Sequence, residues 1–317
     1  MKTNLSILFG IFFLISALLD LIFGDPRGLV HPVEVMGKLI HWEEKLGRSR
    51  IKSPRGLRAW GLAMVIFNVA VAFAVPALIL ALLPPVLGLI FSIYVAWTSL
   101  SAKTLVEEAD KVARALEESL EAGRHRLSYI VGRDTRELSR EEILRATVET
   151  VAENTSDGII APLLYLALLG PAGGWAYKMI NTMDSMIAYR NDKYVDLGRA
   201  AAIVDDVANF IPARLTGLLM VLLSPGSWGE GLRILRRDAR AHLSPNSGFP
   251  ESALAGILGI QLGGGHFYFG KFVEKPTIGD DIRKIEPEDI KRTNQILWRV
   301  SSLGVILAQL LFNFIYV

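Results

Sequence analysis

Long apolar runs separated by charged loops are the feature that most restricts how this chain can fold. Of its 317 residues, 51% are hydrophobic, and the mean hydropathy is +0.36. A helix rises about 1.5 Å per residue, so about 20 apolar residues are enough to cross the hydrocarbon core of a bilayer. The pattern therefore predicts an all-α integral membrane protein and argues against a soluble two-domain enzyme.

Four runs are predicted to be full transmembrane helices, and two others are too short to cross with ease. The full spans are expected at residues 5–23, 59–83, 86–101 and 296–316. The short segments, 158–170 and 210–223, are interpreted as re-entrant or buried. We treat residues 1–317 as one membrane-embedded domain whose cytoplasmic loops, some of them helical, cover residues 24–58, 102–157 and 224–295.

The distribution of lysine and arginine predicts the orientation of these spans. Seven basic residues lie between Lys38 and Arg58, and the region 224–295 is also rich in arginine and lysine. Basic loops usually stay in the cytoplasm, so we expect an inner-membrane protein whose N-terminus lies outside. If both short segments crossed, residues 181–209 would face outside. We favour the alternative in which neither crosses and all the polar segments share the cytoplasmic side.

Composition also excludes several classes of site. The chain has no cysteine, which rules out disulfides, thiolate metal ligands and a cysteine nucleophile. Its net charge is only +2, and its basic residues are explained by membrane topology, so we expect no nucleic-acid partner. Any metal ion must therefore be held by oxygen or histidine ligands.

An acidic helix carries the first candidate site. Glu149, Glu153 and Asp157 follow one another at intervals of four residues, which places them along one helix face. Carboxylates stacked in this way repel one another unless a cation lies between them, and oxygen ligands of this kind suit Mg²⁺. The simpler alternative is a solvated helix face.

More polar residues lie beside apolar segments, where charge is costly and tends to mark a site or a pathway. They include two asparagines and three aspartates on two strips, followed by an arginine: Asn181, Asp184, Asp205, Asp206, Asn209 and Arg214. Near the first span, Asp25 and His31 lie in a loop at the predicted membrane surface. A lone loop histidine is more often incidental than catalytic, but an acid nearby favours a role in proton transfer.

Four stretches of sequence together resemble one family. They are LLDLIFGDPRGLVHPVEVMGKLI, ATVETVAENTSDGIIAPLLY, NTMDSMIAYRNDKYVDLGRAAAIVDDVANFIPARLTGLL and SPNSGFPESALAGILGIQLGG. In this order, and over essentially the whole chain, they are similar to the adenosylcobinamide-phosphate synthase family of cobalamin biosynthesis, also called the CobD/CbiB family. Four motifs of this length make the resemblance specific.

The resemblance implies an ATP-dependent ligase that forms a carbon–nitrogen bond. Such an enzyme joins (R)-1-amino-2-propanol, or its O-phosphate, to a propionate carboxylate of the corrinoid adenosylcobyric acid as an amide, giving adenosylcobinamide or its phosphate. ATP would be a co-substrate and Mg²⁺ would screen its phosphates. Partners would be these substrates, the bilayer and, in a larger assembly, other late cobamide-biosynthesis enzymes or further copies of the chain.

The same comparison gives each candidate residue an expected role. Magnesium ligands are expected among six carboxylates: Glu149, Glu153, Asp157, Asp184, Asp205 and Asp206. Catalytic groups are expected among Asp25, His31, Glu149, Glu153 and Asp184. Substrate contacts, with Arg214 and the amides of residues 244–248 binding phosphate, are expected among Asn154, Asn181, Tyr189, Asn209, Arg214, Ser244, Asn246 and Gly248.

Two other readings compete with this one. Intramembrane prenyltransferases also place aspartates beside the membrane to bind magnesium diphosphate, although they space them differently. A non-enzymatic transporter or sensor would also carry intramembrane charge, but few spans and no evident internal repeat argue against a transporter.

Overall fold

The computed structural model describes residues 11–25, 31–189, 191–268 and 271–316. Helices dominate these ranges, and the strands are only two or three residues long. The chain divides into two compact units. The first comprises Met1–Ser101, Ala161–Asn209 and Gly304–Val317, and the second comprises Ala102–Ile160 and Phe210–Leu303. The predicted all-α membrane class is confirmed.

The described elements are numbered in chain order. The helices are α1 (Phe12–Phe23), α2 (Pro32–Arg50), α3 (Pro54–Leu82), α4 (Pro85–Trp97), α5 (Ala102–Glu118), α6 (Leu120–Leu127), α7 (Arg140–Thr155), α8 (Ala161–Ile187), α9 (Arg199–Ala208), α10 (Phe210–Leu222), α11 (Trp228–Asp238), α12 (Gly248–Leu258) and α13 (Pro287–Tyr316). A π-helical turn, Ser156–Ile160, joins α7 to α8. The strands are β1 (Leu262–Gly263), β2 (His266–Tyr268), β3 (Lys271–Val273) and β4 (Thr277–Ile278).

Helix starts follow local rules that the sequence shows. Proline opens α2, α3, α4 and α13, a position where its missing N–H costs no hydrogen bond. The spacing of Ser139 and Glu142 in the sequence predicts a capping box at the start of α7, and the structure confirms it. The Ser139 hydroxyl accepts from the backbone N–H of Glu142, and the Glu142 carboxylate accepts from the backbone N–H of Ser139.

In the described part of the chain, four helical stretches contain runs long and apolar enough to cross a membrane: Pro54–Leu82, Pro85–Glu118, Arg140–Ile187 and Pro287–Tyr316. Three of them contain the predicted spans 59–83, 86–101 and 296–316. Of the predicted span 5–23, helix α1 covers residues 12–23, and residues 5–10 lie outside the described part of the chain. The segment 210–223 corresponds to the short helix α10.

The segment 158–170, predicted to be too short to cross, belongs to the stretch Arg140–Ile187, which is long and apolar enough to cross a membrane. The glycine- and proline-rich residues 170–174 predict a break in this run, and the break falls at Gly170, whose backbone has φ 67° and ψ −167°. Helix α8 resumes at Pro171, which suits a first helical turn, and continues to Ile187. The strip carrying Asn181 and Asp184 is therefore helical.

The core of the first unit lies between α2, α3, α8 and α9. Met64, Met179 and Met183 are buried there together with Leu197. The backbones approach closely at one point, since a Cβ on Gly61 would lie 1.9 Å from the carbonyl oxygen of Leu197. Glycine is thus required where the segment after α8 crosses α3.

Ion pairs hold the segment after α8 against the start of α3 and the end of α2. Asp196 accepts from Arg58 at 2.7 Å, and the Lys193 ammonium lies 3.1 Å from Glu44. Since Arg58 belongs to the basic loop 24–58, residues 193–196 lie at the same end of α3 as that loop. The side of the membrane on which this end of α3 lies stays a prediction.

In the second unit, α12 packs against α7, α10 and α11. Apolar residues at helical spacing from Leu105 to Leu120 predict one amphipathic helix that continues from the third span to Gly123, but the structure interrupts it twice. Residues 98–101 separate α4 from α5, and Ser119 caps the separate helix α6. Strands β1 and β4 pair antiparallel, with Leu262 opposite Ile278, in a region that the sequence predicted only as loop.

Candidate active site

The structure divides the predicted site residues evenly between the two units. The first unit contains Asp25, His31, Asn181, Asp184, Tyr189, Asp205, Asp206 and Asn209. The second contains Glu149, Glu153, Asn154, Asp157, Arg214, Ser244, Asn246 and Gly248.

Glu149 on α7 is buried and fully engaged by protein groups. One carboxylate oxygen accepts from the Arg133 guanidinium at 2.5 Å, and the other accepts from the backbone N–H of Gly263 at 2.8 Å. The Arg133 side chain is only 6% exposed. Glu149 therefore fixes the glycine-rich segment after α12 to the acidic helix.

Glu153, one turn further along α7, contacts the turn before α12. Its Oε1 accepts from the Ser247 hydroxyl at 2.7 Å. The turn itself uses its own amides, because Asn246 N–H and Ser247 N–H both donate to the Ser244 hydroxyl oxygen at 3.2 Å. The N–H of Ser244 donates to His242 Nδ1 at 2.9 Å. Three of the amides predicted to bind phosphate are thus already used inside the turn.

Two titratable residues that the sequence analysis did not single out complete this cluster. Glu251 on α12 is 4% exposed, and its Oε2 lies 3.7 Å from Nε2 of His242. Burial, reinforced by the charges of Glu149 and Glu153, raises the pKa of Glu251 well above its usual range. Burial, together with the charge of Lys275, lowers the pKa of His242.

We call Arg133, Glu149, Glu153, His242 and Glu251 the carboxylate cluster. Three carboxylates, a guanidinium and an imidazole gather in the second unit, and the ammonium of Lys275 is close enough to act on Glu251. Shifted pKa values combined with burial are typical of groups that exchange protons or bind charged ligands. The carboxylates can balance the charge of a bound cation, and the pair of Glu251 and His242 can hold a proton.

Arg214 is held in a second arrangement beside the same turn. Its guanidinium carbon lies 3.4 Å from the ring centre of Phe210 and 4.1 Å from that of Phe249. Nη1 donates to the carbonyl oxygen of Phe210 at 2.6 Å and to Asn246 Oδ1 at 3.3 Å. Two aromatic faces and two acceptors fix the plane of the guanidinium.

The remaining predictions in the second unit fall at the end of α7. Asn154 donates its side-chain N–H to the carbonyl oxygen of Thr150 at 2.9 Å, which is a local helix contact. Asp157 lies in the π-helical turn. Such turns are rare and occur frequently at functional sites, so the position agrees with a functional Asp157.

In the first unit, the structure joins the predicted residues Asp205 and Asn209 directly and adds Tyr177 as a second partner of Asn209. Asn209 donates to Asp205 Oδ2 at 3.0 Å and accepts from the Tyr177 hydroxyl at 2.8 Å. Asn209 is 1% exposed, and both ends of its amide are used by these contacts. Its geometry suits holding Asp205 in place better than contacting a substrate.

His31 also has a defined geometry. Its Nδ1 accepts from the backbone N–H of Val33 at 3.3 Å, so the neutral ring carries its proton on Nε2. Burial lowers the pKa of His31, an effect that Asp25 opposes. Near the end of α8, burial raises the pKa of Tyr189, and the nearby hydroxyl of Tyr194 and carboxylate of Asp184 add to this shift.

The carboxylates offer a limited fit to magnesium. No group of three or more His, Asp or Glu side chains is placed to hold a metal ion within the part of the chain that the structure describes. Mg²⁺ often uses only one or two carboxylates together with waters and substrate phosphates. Glu153 suits that arrangement better than Glu149, because both oxygens of Glu149 already accept hydrogen bonds. The six predicted magnesium ligands therefore stay a prediction.

Comparison with known proteins gives a consistent result. The sequence profile of a family described as "CobD/Cbib protein" matches residues 13–297. A "Cobalamin biosynthesis protein CobD" from Clostridium tetani is 45% identical over 93% of this chain and 95% of its own length. The proteins of the same name from Geobacter metallireducens and Klebsiella pneumoniae are 48% and 44% identical, over 94% and 92% of this chain and 95% and 94% of their own lengths. No solved structure matches at a significant level.

Proposed function

This chain belongs to the CobD/Cbib protein family, and from that premise we propose that it is an enzyme of cobalamin biosynthesis that forms an amide bond on a corrinoid. The proposed reaction is the ATP-dependent ligation of (R)-1-amino-2-propanol, or its O-phosphate, to adenosylcobyric acid. The names of its relatives support the pathway, and its four apolar helices support a multi-pass membrane protein.

The observation that carries the proposal is the buried carboxylate cluster of the second unit. A carboxylate is a poor electrophile, so amide formation requires it to be activated first. ATP would transfer its γ-phosphoryl group to the propionate oxygen, giving an acyl phosphate and ADP. The amine nitrogen would then attack the acyl carbon, and phosphate would leave with the electron pair of the broken C–O bond. The ammonium form of the amine must lose a proton before this attack.

The cluster provides groups suited to these demands. Glu153 is the candidate for magnesium delivered with the nucleotide, and when bound, Mg²⁺ would neutralise phosphate charge. Glu251 and His242 form a buried pair that can hold a proton, in keeping with removal of the ammonium proton. Glu149 positions Arg133 and the segment after α12.

Residues of the first unit take roles in the same proposal. Asp205 and Asp206 stay candidates for magnesium, and Asn209 with Tyr177 would orient Asp205. His31 would act through Nε2–H as a hydrogen-bond donor, with Asp25 nearby. Four further residues remain candidates for substrate contact or catalysis: Asn154, Asn181, Asp184 and Tyr189.

The test is turnover by the purified protein. We expect a detergent-solubilised sample given adenosylcobyric acid, MgATP and the phosphorylated amine to increase the corrinoid mass by the amine minus water, and to do so only when ATP is present. Glu153→Gln should lower this rate by at least about 100-fold, the scale of a lost charge-stabilising group.

Glu288→Gln is the matched control, because Glu288 is half exposed and, among the described residues, pairs only with Lys291 at the surface. It should keep the wild-type rate. Absence of a mass change with either form of the amine would refute the proposed ligation, and a normal rate in Glu153→Gln would remove Glu153 from the mechanism.

A further inference from the structure

The guanidinium of Arg214 has one edge held by the protein and another edge left open. Nη1 makes both of its hydrogen bonds, and the rings of Phe210 and Phe249 contact the guanidinium. Within the described residues, no carboxylate forms an ion pair with Arg214. A guanidinium fixed in this way presents Nη2 and Nε as a preformed fork for an anion.

A second arginine lies near this fork. The segment that carries Arg240 packs against the start of α12, since a Cβ on Gly248 would lie 2.3 Å from the carbonyl oxygen of Ala239. The charge of Arg240 acts on Arg214. Arg240 is exposed, and it makes no ion pair with any described residue. Two guanidinium groups close together repel each other unless an anion lies between them.

The turn before α12 connects these arginines to the carboxylate cluster. Asn246 accepts from Arg214, and the next residue, Ser247, donates to Glu153. Adjacent residues of a single turn therefore contact the two sites. Ligands bound at Arg214 and at Glu153 would lie beside neighbouring residues of the same turn.

We propose that Arg214 and Arg240 form a receptor for a phosphate monoester. A phosphomonoester carries close to two negative charges and three acceptor oxygens, which matches two guanidinium groups better than a carboxylate does. The inference rests on the proposed function for its biological meaning: the ligand is then the phosphorylated amine, held by its phosphate while its nitrogen reaches the cluster.

Direct binding tests the receptor without requiring turnover. The full-length protein is placed in nanodiscs of neutral phosphatidylcholine and titrated calorimetrically with phosphoethanolamine, and with ethanolamine as the ligand that lacks phosphate. We expect binding of phosphoethanolamine only. Arg240→Ala and Arg214→Lys should each weaken it about tenfold or more, since Lys keeps the charge but loses the fork.

Arg236→Ala is the matched control, because Arg236 is another exposed arginine of the same region without an ion pair to any described residue. It should bind like the wild type. Equal affinity in all variants, or equal losses in all three, overturns the receptor. So does loss of phosphoethanolamine binding when phosphatidylglycerol is added, because the site then takes lipid phosphate. Specific binding of phosphoethanolamine without any ligation activity would refute the proposed function but would still support the phosphate receptor.

Discussion

At the scale of single residues, the buried ion pair of the carboxylate cluster adds little to the free energy of unfolding. Glu149 is 7% exposed and its charge is balanced by Arg133. The desolvation energy lost on burying such an ion pair is nearly as large as the electrostatic attraction gained. Replacing the pair by well-packed apolar residues often leaves the protein equally stable. Three carboxylates near one another, with Glu149 and Glu251 buried and Glu153 half-buried, are less favourable still. Their presence is better explained by ligand chemistry than by folding.

Glu251 should make stability depend on pH. Its pKa is raised in the folded protein above the ordinary value of 4.5, so the folded state binds the proton more tightly than the unfolded state. The stabilisation is complete below pH 4.5 and is lost as the pH rises through the folded pKa. Glu251→Gln mimics the protonated acid and should remove this loss. We therefore expect the melting temperature of Glu251→Gln to exceed that of the wild type by a margin that grows from pH 4.5 to 8.

The lowered pKa of His242 makes stability change with pH in the opposite direction. Because His242 is present in both proteins, its effect largely cancels in the difference between their melting temperatures. Melting in detergent, followed by intrinsic fluorescence at several pH values, gives the margin. Glu288→Gln again serves as the control for the loss of a surface carboxylate. A margin that stays constant across this pH range would show that Glu251 is ionised in the folded protein.

At the scale of elements, the kink in α8 depends on one glycine. Gly170 has φ +67°, a conformation that L-residues adopt only with strain. Apart from its chain neighbours and the backbone of its own helix, no described atom lies within 4 Å of where its Cβ would be. Gly170→Ala should therefore be destabilising by roughly 1–2 kcal/mol through backbone strain alone. The measurement is the free energy of unfolding in detergent.

Gly229 in α11 provides the matched substitution. Its Cβ position is equally open, but its φ is not positive. Gly229→Ala should therefore be stabilising by about 0.5–1 kcal/mol, because alanine loses less conformational freedom in a helix. If both substitutions changed stability in the same direction, the strain argument for Gly170 would fail.

Several elements followed from local sequence, and others did not. The capping box of Ser139 and the prolines that open helices predicted those starts, because the interactions involved are only a few residues apart. The pairing of β1 with β4 had no such signal. Strands of two residues are too short to show periodicity, and their pairing depends on the packing around Leu262 and Ile278.

The same distinction explains the site. Glu149 and Glu153 were found because they share a helix face. Their partners were missed, because Gly263 is 114 residues from Glu149 and Ser247 is 94 residues from Glu153. Glu251 occupies a position that the sequence explains equally well as an ordinary first-turn acid of α12. Only tertiary packing places it beside His242.

At the scale of the whole molecule, the side of the membrane on which each loop lies can be measured directly, since the chain contains no cysteine. Arg50 and Val195 are exposed and lie at the same end of the first unit, whereas Pro84 lies at the far end of α3. We expect Pro84→Cys to react with a membrane-impermeant maleimide on intact cells. Arg50→Cys and Val195→Cys should react only after permeabilisation.

Labelling of all three variants in permeabilised cells controls for accessibility. Reaction of Val195→Cys from outside would place residues 181–209 on the outer face and contradict the topology in which the site is cytoplasmic.

The contact between the two ends of the chain has a consequence for how the protein is made. The N–H of Phe13, in the first turn of α1, donates to the side chain of Gln309 across 296 residues, and Phe12 packs edge-on against Phe312. At translation rates of 5–20 residues per second, α1 leaves the ribosome roughly 15 to 60 seconds before its partner. During that interval the part of α1 that faces α13 must be covered by lipid or by the insertion machinery. Loss of the last turns of α13 would leave that part without its neighbour, while α4 would still pack against α1.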